Sequence, residues 1–133
     1  MKRFGLSSIE RIKSRKDFEN IYSFGKTLFS FDKKIRLVYL VEKADNRGGV
    51  KIATAVSKKL GNAVWRNRTK RILKSCFRLN KNEITEHCIN NKILLRVVFS
   101  PYHLNGKKNK KIEQKEILPS LLDVLKKLKS ALE

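Results

Sequence analysis

Asn62-Ala63-Val64-Trp65-Arg66-Asn67-Arg68-Thr69-Lys70-Arg71-Ile72-Leu73-Lys74-Ser75-Cys76-Phe77-Arg78 is the stretch that decides how this chain folds. At about 100° per residue, Trp65, Thr69, Ile72, Leu73, Cys76 and Phe77 gather on one side of a helical wheel. Asn67, Arg68, Lys70, Arg71, Lys74 and Arg78 fill the other. Such a segment is an amphipathic helix that must lay its apolar stripe on something else, with Asn62 placed to cap its first turn.

Working back from that helix, Val50-Lys51-Ile52-Ala53-Thr54-Ala55-Val56 suits a strand, and Ala44 to Gly49 is a turn by composition. Ile35, Leu37 and Tyr39 alternate with Arg36, Val38 and Leu40, a second strand. Thr27-Leu28-Phe29-Ser30-Phe31 is a third. Ahead of them Phe18, Ile21 and Tyr22 make one helical stripe that Gly25 ends. Ser14 stands there as N-cap, with Asp17 placed to reach back as in a capping box.

Downstream, Asn82–Asn91 has the polar composition of a linker. Lys92-Ile93-Leu94-Leu95-Arg96-Val97-Val98-Phe99, ended by Ser100-Pro101, is apolar enough for a buried central strand. A loop with lysines from Lys107 to Lys111 follows, then a helix with Leu118, Leu121, Leu122, Leu125 and Leu128 as its core stripe. Pro119 either starts that helix as a first-turn residue or kinks it. The order is α-β-β-β-α-β-α, an α+β or α/β sandwich with helices packed on one sheet. The 133 residues suit one domain, with residues 1–10 expected to be flexible.

The charge balance says what such a domain binds. Lysine and arginine number 32 against 12 acidic residues, a formal charge of +20. Self-repulsion on that scale opposes compaction, and a polyanion relieves it while releasing condensed counterions. From Arg47 to Lys81 there is no acidic residue among eleven basic ones. Lys51, Lys58, Lys59, Arg66, Arg68, Lys70, Arg71, Lys74 and Arg78 are therefore candidate phosphate contacts, with Asn67 between two arginine forks. A merely solvated helix face would carry interspersed glutamates. Phe18 and Tyr22, one turn apart, could stack on unpaired bases, although their spacing alone fits packing on a sheet better.

Other function classes fare worse. A membrane-surface helix needs an open apolar face, and here that face is needed to cover the sheet. No stretch reaches the ~18–20 apolar residues of a membrane span. Met1 to Ser8 has the charge of a secretory signal without its apolar run. Cys76 and Cys88 cannot build a disulfide framework and fit two reduced thiols in a cytoplasmic protein. With His87 and His103 they lack the spacing of a zinc site. No acid–base constellation, phosphate-cradling glycine loop or nucleophile elbow is present. A structural RNA-binding protein of the ribosome remains an alternative. A DNA-binding protein would show a helix-turn-helix or a dimer seam, and neither is visible.

Val56-Ser57-Lys58-Lys59-Leu60-Gly61-Asn62-Ala63-Val64-Trp65-Arg66-Asn67-Arg68-Thr69-Lys70-Arg71 closely resembles the signature of the bacterial ribonuclease P protein component, and a weaker likeness extends over about residues 10–130. The resemblance implies a fold like the second domain of a small ribosomal subunit protein, with a left-handed βαβ crossover where right-handed is the rule. It implies a catalytic RNA subunit and precursor tRNA as partners, and no membrane or small-molecule substrate. The RNA would use Mg²⁺, bound mainly by the RNA subunit and substrate, to release the 5′ leader, and no protein residue would be catalytic. Arg66, Asn67, Arg68, Lys70 and Arg71, led by Lys58 and Lys59, are implied RNA-subunit contacts. Phe18 and Tyr22 match the leader-binding cleft, joined by Arg66, Asn67 and Lys70, with Tyr39 a further candidate. Where the family often has Arg before the proline ending its fourth strand, Ser100 stands here, and the nearest arginine in that strand is Arg96. The segments at 82–91 and 106–111 are longer than the family pattern.

Overall fold

The computed structural model describes residues 12, 14–44 and 48–133. Its elements run α1 (Arg15–Phe24), β1 (Lys26–Phe29), β2 (Ile35–Lys43), β3 (Gly49–Thr54), a short 3-10 turn (Lys58–Leu60), α2 (Ala63–Asn80), α3 (Asn82–Asn90), β4 (Ile93–Pro101) and α4 (Gln114–Leu132). The strands form one sheet in the order β1-β2-β4-β3. β4 is antiparallel to β2 and parallel to β3, so α2 and α3 make the crossover between adjacent parallel strands. The α+β sandwich and its buried central strand are as the sequence predicts.

The two faces of the sheet have different covers. Ile35, Leu37, Tyr39, Val50, Ile52, Leu95, Val97 and Phe99 point to the side packed by α2, α3 and α4. There the α2 stripe (Trp65, Leu73, Cys76, Phe77) meets Ile117, Leu121, Val124, Leu125 and Leu128 of α4, and the Phe77 and Phe99 rings lie 5.6 Å apart. Each such large side chain, fully buried, contributes about 1.5–3 kcal/mol. Val38, Ala53 and Val98 face the opposite way and meet Ile12 and Ile21, with Phe18 packed at the margin. Among the described residues, α1 and Ile12 are what covers that side.

Local structure departs from the sequence expectations in three places. Asn82–Asn91 is not a linker, because Asn82–Asn90 is the helix α3. Its Ile84 and Cys88, one turn apart, plug into the main core, and two buried positions in an otherwise polar segment give too thin a stripe to stand out. Ser14 does occupy the N-cap of α1, but its side chain makes no capping hydrogen bond. The Asp17 carboxylate turns instead to Arg96 of β4, 3.8 Å away. Of the two places expected for Pro119, a first-turn start fails, since α4 begins at Gln114, and the proline stands inside the helix. Its missing N–H denies the Lys115 carbonyl its helical partner. The expectation of flexibility for residues 1–10 falls outside the described residues.

Gly25 closes α1 for a steric reason. Its N–H donates to the Ile21 carbonyl at 2.8 Å, and a Cβ there would collide with the carbonyl oxygens of Ile21 and Tyr39. The β1–β2 turn is held by Asp32, whose carboxylate accepts from Ser30 Oγ (2.7 Å), Ser120 Oγ (2.7 Å) and the Lys34 N–H (3.1 Å). Partial burial alone would push this carboxyl up, but those hydrogen bonds and the Lys34 charge hold it below the usual aspartate value.

Candidate nucleic-acid interface

The basic face is organised from the start of α2. Ser57 Oγ accepts from the Lys59 N–H at 3.3 Å and sets the 3-10 turn, which leaves Lys58 and Lys59 exposed. Asn62 Oδ1 then accepts from the Trp65 N–H at 2.9 Å, a cap worth about 1 kcal/mol. With Trp65, Thr69, Leu73, Cys76 and Phe77 buried, the opposite face is fixed: Asn67, Arg68, Arg71 and Lys74 are exposed, while Arg66, Lys70 and Arg78 are half-buried. Among the described residues none of these cations is in an ion pair. No acidic residue stands in the first turn of α2, and lysines precede it, the reverse of what a helix dipole favours. The arrangement is costly alone and favourable against a polyanion.

A second feature adjoins it. Between α1 and the sheet lies a cleft of about 300 Å³ lined by Tyr22, Arg36, Ala55, Val56, Ser57, Leu60, Ser100 and Pro101. Tyr22 is 47% exposed, whereas Phe18 is half-buried against the small α1 cluster. The Ser57–Leu60 wall is the same turn that leads into α2, so the cleft and the basic face share an edge.

Sequence reasoning had passed over Arg36. It pairs directly across the ladder with Ser100, puts its side chain in the cleft, and has no carboxylate partner among the described residues. Its place was legible from strand alternation, which puts it in phase with Val38 and Leu40. Arg96 differs, being held by Glu42 at 2.7 Å and by Asp17. Those two carboxylates neutralise it and make it a strut between α1 and the sheet.

Two candidates lie elsewhere than expected. Tyr39 is only 6% exposed and belongs to the main core, on the face away from Phe18 and Tyr22. Lys51 is in register with Arg96 and so shares the α1 face of the sheet, apart from the α2 cations.

Against this geometry, comparison with known proteins is decisive, since the family model described as Ribonuclease P matches residues 6–129. The chain belongs to the ribonuclease P protein family. A ribonuclease P protein component of Syntrophus aciditrophicus is 40% identical over 82 residues, 62% of this chain and 65% of that protein. One from Clostridium kluyveri is 43% identical over 74 residues, 56% of this chain and 62% of that protein. The matches thus span a little under two thirds of these relatives' length. A structure of a Staphylococcus aureus RNase P protein mutant with defective mRNA degradation activity superposes with a TM-score of 0.67 at 26% identity, covering 91% of this chain and 89% of that one. The RNase P protein from Thermotoga maritima shares the fold, with a TM-score of 0.67 at 24% identity over 89% of this chain and 96% of that one.

Among the described residues of this ribonuclease P protein family member, the histidines and cysteines do not gather into one site. His87 contacts Asn91 on α3 and its C-cap, while His103 stacks on Tyr102 beyond β4, so the two do not converge. Cys76 and Cys88 are free and buried, and burial pushes both thiols up to about 11. Among the described residues no group of three or more His, Cys, Asp or Glu could hold a metal ion. No described helix is long and apolar enough to cross a membrane.

Proposed function

We propose that this chain is the protein subunit of a ribonuclease P. It binds the catalytic RNA subunit through the α2 face and the preceding turn, and it holds the 5′ leader of precursor tRNA in the α1 cleft. The observation that carries this reading is the α2 face itself: seven polar and cationic side chains from Arg66 to Arg78, with no ion-paired carboxylate among the described residues. Phosphates are the group such a face lacks.

The cleft suits a single strand. Tyr22 supplies ring surface for unpaired bases and Arg36 a cation where Ser100 cannot; half-buried Phe18, one turn before Tyr22 on α1, adds a second ring beside the cleft. Arg66, Asn67 and Lys70, in the first two turns of α2, serve both RNAs. Tyr39 is not part of this reading, and Lys51 goes to the leader side.

The reaction in this reading uses Mg²⁺. The ion belongs with the RNA subunit and substrate, where it supplies the hydrolytic chemistry. This chain contributes position and charge: it lowers repulsion between two RNAs and presents the leader in a fixed direction. The work is cytoplasmic, where both RNAs are made.

The reading is tested by measuring affinity for the RNA subunit over a range of monovalent salt. Contact with about 6–8 phosphates gives a log–log slope of roughly −5 to −7. Arg66→Ala with Arg68→Ala weakens binding and flattens that slope by about 2. Unchanged affinity at moderate salt sinks the reading.

A further inference from the structure

The lysine-rich segment after β4 is ordered. Leu104 and Ile112 bury its two ends. Asn105 Oδ1 accepts from the N–H groups of Lys107 (3.0 Å) and Lys108 (2.9 Å), and Asn109 N–H returns to the Asn105 carbonyl at 2.8 Å. The loop is then fastened to the start of α2 at three points. The Gly106 N–H donates to the Leu60 carbonyl at 2.6 Å, Trp65 Nε1 donates to the Asn109 carbonyl at 2.8 Å, and Arg68 Nε donates to the Ile112 carbonyl at 2.8 Å.

Between loop and helix runs a groove of about 770 Å³. Its cations are Lys59 and Arg68 on one wall and Lys107, Lys110 and Lys111 on the other; no acidic residue lines it. Gly61 and Gly106 meet at its floor, close enough that a Cβ on Gly106 would lie 3.3 Å from the Gly61 Cα. Among the described residues none of the three loop lysines has an ion-pair partner. Five like charges held by backbone hydrogen bonds around an open trough cost free energy unless an anion fills it.

We propose that this loop is a second wall for RNA, clamping the sugar-phosphate backbone of the catalytic RNA subunit between Lys107, Lys110 and Lys111 and the Lys59–Arg68 side of α2. This extends the reading above and rests on it. The RNA subunit is the chosen occupant because the groove is continuous with the outer α2 face through Arg68. The Ser57–Leu60 turn separates it from the cleft that takes the leader.

The test uses the full chain with Lys107, Lys110 and Lys111 all changed to Ala. These side chains are exposed and make no contact that holds the fold, so the thermal midpoint should stay near wild type. Affinity for the RNA subunit should fall on the order of ten- to a hundredfold at about 0.15 M monovalent salt, and the slope should flatten by roughly 2–3. Lys108→Ala, outside the groove, should cost far less. Discrimination of precursor from mature tRNA by the assembled complex should stay as in wild type. Unchanged RNA-subunit affinity and slope overturn the proposal. So does a loss seen only for precursor tRNA that grows with leader length, which would make the substrate the occupant. Arg66→Ala/Arg68→Ala measured alongside separates the two levels: if it loses affinity and the loop variant does not, only the loop assignment falls.

Discussion

Arg68 donates from Nε to the carbonyl of Ile112 at 2.8 Å, across 44 residues of sequence. A signature arginine on α2 is thereby aimed by the backbone of a distant loop, while the rest of its guanidinium fork stays available at an exposed position. Held this way, the fork loses less freedom on gripping a phosphate than a free side chain would.

Arg68→Lys and Arg68→Ala should therefore behave differently. Lysine keeps the charge but not the planar fork, so affinity for the RNA subunit falls while the salt slope hardly changes. Alanine lowers affinity further and flattens the slope by about 1. Equal slopes for alanine and wild type would show that Arg68 meets no phosphate.

Phe18→Ala tests the assignment of the α1 aromatic residues to the leader. Loss of one stacked base costs about 1–3 kcal/mol in affinity for precursor tRNA and leaves mature tRNA unaffected. Phe18 is half-buried, so a thermal melt must accompany the binding curve. An equal loss for precursor and mature tRNA means the ring only packs.

Asp32 gives the fold a pH dependence. Its folded pKa is depressed, so the stability it contributes is present above the unfolded value of about 3.9 and is lost as pH falls through the lower folded value. Asp32→Ala strands the buried Ser30 and Ser120 hydroxyls, at about 1–3 kcal/mol for each left unsatisfied. Melts at pH 7 and pH 3 should show the wild-type advantage over Asp32→Ala shrinking in acid. An advantage constant with pH would contradict the role given to this carboxylate.

The core thiols should be inert in the native state. With both pKa values raised to about 11 and both side chains buried, Cys76 and Cys88 should resist iodoacetamide at pH 8 and label fully in denaturant. Rapid native labelling would mean that α2 or α3 opens easily.

How far the sequence spoke for itself differs from element to element. α2 was legible because five turns repeat one stripe, and its N-cap followed from Asn62 alone. β4 was legible as a central strand because both of its faces are apolar. α3 was hidden because two buried side chains, Ile84 and Cys88, must be recognised against seven others. The place of Tyr39 was available from alternation, which groups it with Ile35 and Leu37 in the core; the family likeness pulled it toward the cleft. Asp17 could be placed locally as a cap, but its partner Arg96 is brought to it only by the sheet. The groove beside Arg68 was out of reach in the same way, since its walls are joined by hydrogen bonds spanning 44 residues.

The most direct test of the central claim is cleavage of precursor tRNA by the cognate RNA subunit at low Mg²⁺, with and without this chain. Strong stimulation that fades as Mg²⁺ rises is the predicted result, because added divalent charge replaces what the protein supplies. Absence of stimulation at any Mg²⁺ concentration, with tight binding to other RNAs retained, would contradict it.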